Sequence, residues 1–481
     1  MNDFKEIKKV TTPKLWEALV PIIGMMAFII VGILQFGLEP HIPIVLACVL
    51  AAAMAVKAGN SWNDILCGIL ESVYRALEAL IIIMIVGMLI GAWISSGTVP
   101  AMVYYGLGLI SPKIFLPTGA ILCAIVSVAT GSSWTSSGTV GIALMSIAAG
   151  LGINPALAAG MVISGAYFGD KLSPLSDSTN VAAATAETPL YSHVAAMIST
   201  TLPSFLIALV IYTIVGFTSA TGNYDPSRVE LIRATISGNF NINLWLLIPP
   251  LFVIFAAVKK IPAIPSLLGA AALGGVFGMV FQGRGLGDIL LNFHYGFKAE
   301  TGVEIVDKLL NRGGLDSMMW TISLIIFALA FGGILEKSGF TEVILGRLIS
   351  KIKSLGGLVT LTICTGIACN FILTDQYLAI MVPGRMYYKA YDERNLSRSY
   401  LSRTLEDGGT MWSALCPWNG CGAYQAATLG VPTFSYLPYA FMNLINPILA
   451  IIFAYLGIKV FYKDYDEKLN KTRKKKAVSA D

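Results

Sequence analysis

Long uncharged runs interrupted by short polar ones make up this chain, and the runs have the length of membrane spans. A helix needs about 20 apolar residues to cross the hydrocarbon of a bilayer. Stretches near that length fall at 15–36, 41–58, 76–97, 155–170, 193–217, 243–258, 263–281, 315–338, 400–416 and 434–460. Two more segments, 113–150 and 355–390, each join two apolar arms at a polar tip: TGSSWTSSGT at 130–139 and NFILTDQY at 370–377. Each reads as two full spans or as a hairpin that enters and leaves on one side. The sharpest interruption is GAYFGDKLSPLSDSTNVAAAT at 165–185. Positions 114–169 carry no charged side chain, and then Asp170, Lys171, Ser173, Pro174, Ser176, Asp177, Ser178, Thr179 and Asn180 arrive together. At membrane depth, irregular backbone survives only where it is buried in protein or lines a watery cavity, and half-helix ends there are ready ion sites. The pattern predicts an all-α polytopic membrane protein with a broken helix at the midplane.

The pattern also repeats. An offset of 243 positions lays Leu172, Pro174, Ala183, Ala184 and Thr185 on Leu415, Pro417, Ala426, Ala427 and Thr428, and 131–134 on 374–377. An offset of 242 lays Gly91, Ser96 and Gly97 on Gly333, Ser338 and Gly339. Five spans and one hairpin per half make the halves inverted repeats, an arrangement common in secondary transporters. The expected divisions are a cytoplasmic segment 1–14, a first repeat 15–217, an extracytoplasmic linker 218–242, a second repeat 243–460 and a basic cytoplasmic tail 461–481.

Composition agrees with the pattern: of 481 residues, 56% are hydrophobic and 13% charged, too apolar a balance for a soluble domain. The net charge of +5 owes much to seven basic residues at 463–476, which mark a cytoplasmic end rather than a nucleic-acid site. With the N-terminus inside, Lys57, Arg75, Lys171, Lys259, Lys260, Arg347, Lys351, Lys353, Arg394, Arg398 and Arg403 all fall in the cytoplasm, and segment 282–314 becomes a long outer loop. Seven scattered cysteines show no metal spacing and read as small buried hydrophobes. His41, His193 and His294 fall near expected interfaces and read as loop histidines. Glu17 and Glu78 read as interfacial. There is no phosphate-binding loop of the G-x-x-x-x-G-K-[ST] type, so an ATP-driven pump is unsupported, and no hydrolase signature suggests an enzyme.

Polar groups at membrane depth come from four places that the repeat pairs. The tips offer Ser132, Ser133 and Thr135, then Asn370, Thr374, Asp375 and Gln376. The broken helices offer 170–180, then Glu406, Asp407, Thr410, Ser413 and Asn419. A carboxylate at the bilayer centre costs about 2.5–3.5 kcal/mol on insertion scales, so several together need a reason. A small hard cation is one, since carboxylate, hydroxyl, amide and freed backbone carbonyl are its ligands. Burial and a neighbouring carboxylate both favour the protonated form. Cation and proton would then compete for the same groups, and antiport follows. Asp375, the lone carboxylate in a tip, is the leading candidate, followed by Asp177. Each of the others has a structural alternative. Asp170 could pair with Lys171, Glu406 or Asp407 with Arg403 or Arg385, and Asn419 could form a turn.

GSSWTSSGTVGIALMSIAAGLG (131–152), SGAYFGDKLSPLSDSTN (164–180), TDQYLAIMVPGRMY (374–387) and LSRTLEDGGTMWSALCPWNGCGAY (401–424) resemble the NhaC family of bacterial Na+/H+ antiporters across both halves. The resemblance implies a multi-pass protein of the bacterial inner membrane, both termini cytoplasmic, that exchanges Na+, or Li+, for H+ without a cofactor. It implies a cation and proton site drawn from Asp375, Asp177, Asp170, Glu406, Asp407, Asn180, Thr179, Ser173, Ser132, Ser133, Gln376 and Asn419, to which the reading of the residues adds Ser176 and Thr374. A homodimer is compatible with it. The family also includes exchangers of malate and protons against lactate and Na+. For such an anion Arg385 is the candidate cation.

Overall fold

The computed structural model describes residues 13–109, 111–223, 226–259, 261–346, 354–463 and 465. Most of the segment 1–14, the tail beyond 465, and Lys260, Arg347, Lys351 and Lys353 lie outside the described residues. The described chain is helical, with a single isolated bridge between Leu396 and Tyr462.

The first half runs α1 (Leu15–Phe36), α2 (His41–Lys57), α3 (Trp62–Arg75), α4 (Leu77–Ser95), α5 (Thr98–Leu109) and α6 (Pro112–Thr130). It continues through α7 (Ser133–Ser136), a π-helical turn, α8 (Ile142–Gly150), α9 (Pro155–Leu172), α10 (Asp177–Thr185) and α11 (Leu190–Asn223). Next come α12 (Pro226–Asn239), α13 (Ile248–Val258), α14 (Ala263–Gln282), α15 (Leu286–Tyr295), α16 (Glu304–Leu310), α17 (Met319–Lys337) and α18 (Phe340–Gly346). The chain closes with α19 (Leu355–Ile372), α20 (Gln376–Asp392), α21 (Arg398–Ser413), α22 (Gly420–Leu429), α23 (Thr433–Tyr436) and α24 (Phe441–Leu456).

Local chemistry explains most boundaries. Ser61 caps α3 by accepting from the Asp64 amide while Asp64 reaches back to the Ser61 amide, and Asn154 caps α9 ahead of Pro155. Gly131 and Gly430 stop α6 and α22 with φ of 69° and 70°, a conformation that costs glycine little.

Seven described helices are long and apolar enough to cross a membrane, or up to nine if two bent pairs each count as one span. Ten were expected. Of the expected spans, α2, α9 and α21 are not among the seven: α2 and α21 have 17 and 16 residues, and α9 carries Asp170 and Lys171 at its end. Nearly every residue of α21 is buried, so its charge and hydroxyls are shielded by surrounding helices and it need not be apolar. For the same reason Lys171 and Arg403, read as cytoplasmic markers, have no exposed surface at all.

Two segments between the expected spans contain helices of their own. The linker 218–242 is largely helical, as the end of α11 and the whole of α12. The outer loop 282–314 is not a loop, because α15 packs on α4 and the Gly314 amide donates to the Gly87 carbonyl at 2.7 Å. Its basic residues are thus held in part by the protein: Arg284 Nε donates to the Ser95 carbonyl.

The pairing of α6 with α9 sets the position of the first break. A Cβ on Gly165 would strike the Ala120 carbonyl, and one on Gly169 the Ala124 carbonyl. Small residues four apart let the two backbones touch. Gly165→Leu should therefore force the helices apart, costing about 1–3 kcal/mol or more. A lowered midpoint in detergent thermal melts is the measurement, with Ala149→Leu on the half-buried face of α8 as a milder control.

Candidate functional site

Four helices begin at one cavity of about 520 Å³. Their N-caps are Ser132 for α7, Ser176 for α10, Asp375 for α20 and Asn419 for α22, and all four line the cavity. The pairs Ser132 with Asp375 and Ser176 with Asn419 share the offset of 243 read from the sequence. Each cap satisfies an orphan backbone amide: Ser132 accepts from Thr135, Ser176 from Thr179, Asp375 from Leu378 at 2.8 Å and Asn419 from Cys421 at 2.9 Å. The opposite wall is mostly apolar and comes from α4, α13, α14 and α17, including Ile83, Val253, Leu267 and Leu329. Helix starts carry partial positive charge, so the cavity combines four positive backbone ends with carboxylates.

Three of those carboxylates are Asp170, Asp177 and Asp375. Asp177, the first residue of α10, is exposed to the cavity, and Asp375 is half-buried. Tyr377 also lines the cavity. Asp170 is buried and accepts from the Ser133 hydroxyl at 2.7 Å, so it ties the first tip to the first break rather than pairing with Lys171. Among the described residues no three His, Cys, Asp or Glu side chains close on a single point. A cation held here would take one or two carboxylate oxygens and fill the rest of its shell from hydroxyl, amide, backbone or water.

The remaining expected residues divide. Ser132, Ser133, Ser176, Thr374, Gln376 and Asn419 line the cavity. Thr374 has a φ of 60°, unusual for a β-branched residue, and its buried hydroxyl has no partner. Gln376 Oε1 is held by the Ser413 hydroxyl and the Cys421 thiol. Asn419 donates to Asn370 Oδ1 at 3.0 Å. Ser173, Thr179 and Asn180 instead tie the break together from outside the cavity. Ser173 donates to the Val128 carbonyl, Thr179 to the carbonyls of Asp170 and Lys171, and Asn180 to those of Pro174 and Ser176. Unwound backbone frees carbonyls that these short side chains are suited to bind.

Glu406 and Asp407 are also outside the cavity. Asp407 is bound by Lys171 Nζ at 2.6 Å, lies 3.6 Å from Arg403 Nε and accepts from the Thr200 hydroxyl. Glu406 faces His193, which is fully buried, not in a loop. Arg385 is exposed and not part of the cavity wall. The cation in that wall is Arg75, paired with Glu336 of α17.

Arg75 and Glu78 were missed as site residues because each sits at the end of an apolar run, where a charge ordinarily meets water. Only the approach of the α3–α4 corner to the helix starts makes them cavity residues. Trp134 and Tyr424 were missed too. Their rings stack at 4.1 Å and the Tyr424 hydroxyl donates to the Trp134 carbonyl, fastening the first tip to α22 across the two halves. Their signal was an aromatic in each polar stretch, which core packing explains equally well.

Residues 165–458 match the model of the Na+/H+ antiporter family. The chain is 39% identical over 439 residues to the Na+/H+ antiporter NhaC of Alkalihalophilus pseudofirmus, covering 91% of this chain and 94% of that one. It is 38% identical to the malate-2H+/Na+-lactate antiporter of Bacillus subtilis, with 95% and 97% covered. It is 37% identical to the arginine/ornithine antiporter ArcD of Halobacterium salinarum, with 97% and 96% covered. Likeness on this scale extends over both breaks and both tips, and the chain therefore belongs to the Na+/H+ antiporter family.

Proposed function

We propose that the protein exchanges Na+, with Li+ as the second cation, for H+ by alternating access, and that Asp170, Asp177 and Asp375 hold cation and proton in turn. The observation that carries this reading is the meeting of four carboxylates, Asp170, Asp177, Asp375 and Glu78, and four capped helix starts around one cavity. Carboxylate, hydroxyl and amide oxygens suit a hard monovalent cation, and no sulfur or imidazole ligand is needed. Protonating a carboxylate removes the charge that attracts the cation, so one carrier conformation cannot hold both at that group.

In this reading the two halves are inverted repeats, and motion of one set of half-helices against the other opens the cavity alternately. The protein sits in a bacterial inner membrane with both termini in the cytoplasm. Two relatives named for antiport of organic solutes support a second reading, exchange of a small organic acid coupled to Na+ or H+. The cavity volume favours it, being in the range of small-molecule sites, roughly 300–1,000 Å³. Arg75 would then meet the carboxylate, the role Arg385 is too far out to take.

Proton movement in proteoliposomes, challenged in turn with Na+, Li+, K+, malate and lactate, separates the two readings. A lumenal pH change driven by Na+ or Li+ alone is the expected result. A response that requires malate or lactate moves the assignment to the organic-acid exchanger.

A further inference from the structure

The cation in the cavity wall is held from outside it. Among the described residues that line the cavity, Arg75 at the end of α3 is the one basic side chain, against the acids Glu78, Asp170, Asp177 and Asp375. Its partner Glu336, near the end of α17, is not part of the wall. Arg75 Nη2 donates to Glu336 Oε2 at 2.5 Å and Nη1 to Oε1 at 3.5 Å, so the planar guanidinium meets both carboxylate oxygens.

Backbone contact fixes this pairing. A Cβ on Gly68 would strike the Gly333 carbonyl, and one on Gly333 the Gly68 carbonyl, so α3 and α17 touch where they cross. Glu71 and Arg75 follow Gly68 on its own helix face, and Glu336 and Lys337 follow Gly333 by one turn. Two bridges result, Arg75 with Glu336 and Lys337 with Glu71 at 3.0 Å. Glu71 also accepts from the Cys67 thiol, and neither Glu71 nor Lys337 lines the cavity. The second bridge joins the same two helices as the first but lies away from the cavity.

A cleft whose wall carries charge of one sign concentrates ions of the other. With Arg75 matched by Glu336, the described wall holds four carboxylates and no unmatched cation, so it attracts cations and repels organic acids. Freed from Glu336, Arg75 would present a guanidinium fork, whose geometry matches a carboxylate. The side chains of the pair are 41% and 36% exposed. Ion pairs that open to water add little stability, so the partner of Arg75 is set by competition among carboxylates and not locked by folding.

We propose that Glu336 decides the charge selectivity of the cavity: by occupying Arg75 it closes a binding site for small carboxylates and leaves Na+ as the ion the wall favours. This rests on the Na+/H+ reading of the cavity and deepens it. Glu336 is a positioning residue that acts through Arg75, and a free organic carboxylate takes its place when its own is removed.

The test measures Na+ affinity of the purified full chain by calorimetry, with chloride, acetate or malate as the anion at constant ionic strength. In chloride, Glu336→Gln should bind Na+ about three- to tenfold more weakly than the parent, the effect of one unmatched positive charge at the wall. Acetate or malate should restore the affinity of this variant and leave that of the parent unchanged. Adding Arg75→Gln to Glu336→Gln should recover the greater part of the loss without any organic acid. Removing the neighbouring bridge whole, by Glu71→Gln with Lys337→Gln, should lower the melting midpoint and spare Na+ affinity. A lower midpoint with unchanged Na+ affinity in Glu336→Gln overturns the proposal, because it is what a merely structural bridge would give. A loss that neither acetate, malate nor the Arg75 substitution recovers overturns it as well. The parent judges the underlying reading by itself: Na+ binding that requires malate defeats the Na+/H+ assignment, and the proposal with it, whatever the variants show.

Discussion

Asp375→Asn should abolish Na+-driven proton exchange while leaving the protein folded and inserted. The substitution is selective because Asn caps helices about as well as Asp, so the Leu378 amide keeps its acceptor and α20 keeps its start. What disappears is the negative charge in the second tip, at a site whose helix starts are positive. Removing one member of a desolvated charged contact costs about 2–5 kcal/mol, roughly 30-fold to several thousand-fold in affinity. Asp177→Asn should fall in the same range or somewhat below it, since Asp177 is more exposed to the cavity and water can take part of its place. Fluorescence of a pH dye in proteoliposomes reads both. Transport by Asp375→Asn at the parent rate would remove that carboxylate from the mechanism.

Lys171→Met carries the largest expected cost in stability. Lys171 and Asp407 have no exposed surface, and the ammonium also donates to Asn446 Oδ1 at 2.8 Å. Desolvating two charges is expensive, and their attraction repays it only while both are present. Truncating one leaves Asp407 with Arg403 at 3.6 Å and the Thr200 hydroxyl. The expected loss is about 3–5 kcal/mol, read as a drop in melting midpoint and in the monodisperse fraction. The double variant Lys171→Met with Asp407→Asn should recover part of it, because the Asp407 charge is gone, and only part, because buried Arg403 then loses its carboxylate partner. Equal instability of single and double variants would place the energy in packing of the lysine stem instead.

Much of the site was legible before folding. A run of more than fifty uncharged positions followed by a dense polar cluster cannot be a lipid-facing helix, and the structure ends α9 at Leu172 and restarts at Asp177. The 243-residue offset paired Ser132 with Asp375, and both prove to be N-caps at the cavity. These features are local: turn chemistry, capping and the exclusion of charge from hydrocarbon act within a few residues of where they are written. Spans were read less well in α9 and α21, whose polarity is set by neighbours rather than by lipid.

Assigning partners to charges was beyond sequence. Lys171 follows Asp170, and adjacency suggested a pair. Successive residues on a helix point about 100° apart, so the two side chains leave α9 toward different sites, one to Ser133 and the other to Asp407, 236 positions away. His193 had no local mark to separate it from a loop histidine. The sequence by itself determined that this is a helical membrane protein with paired broken elements rich in oxygen ligands, because hydrophobic length and capping are short-range properties. Only the tertiary structure decided which carboxylates face the cavity and which are neutralised behind it, because that depends on how α9, α11 and α21 cross.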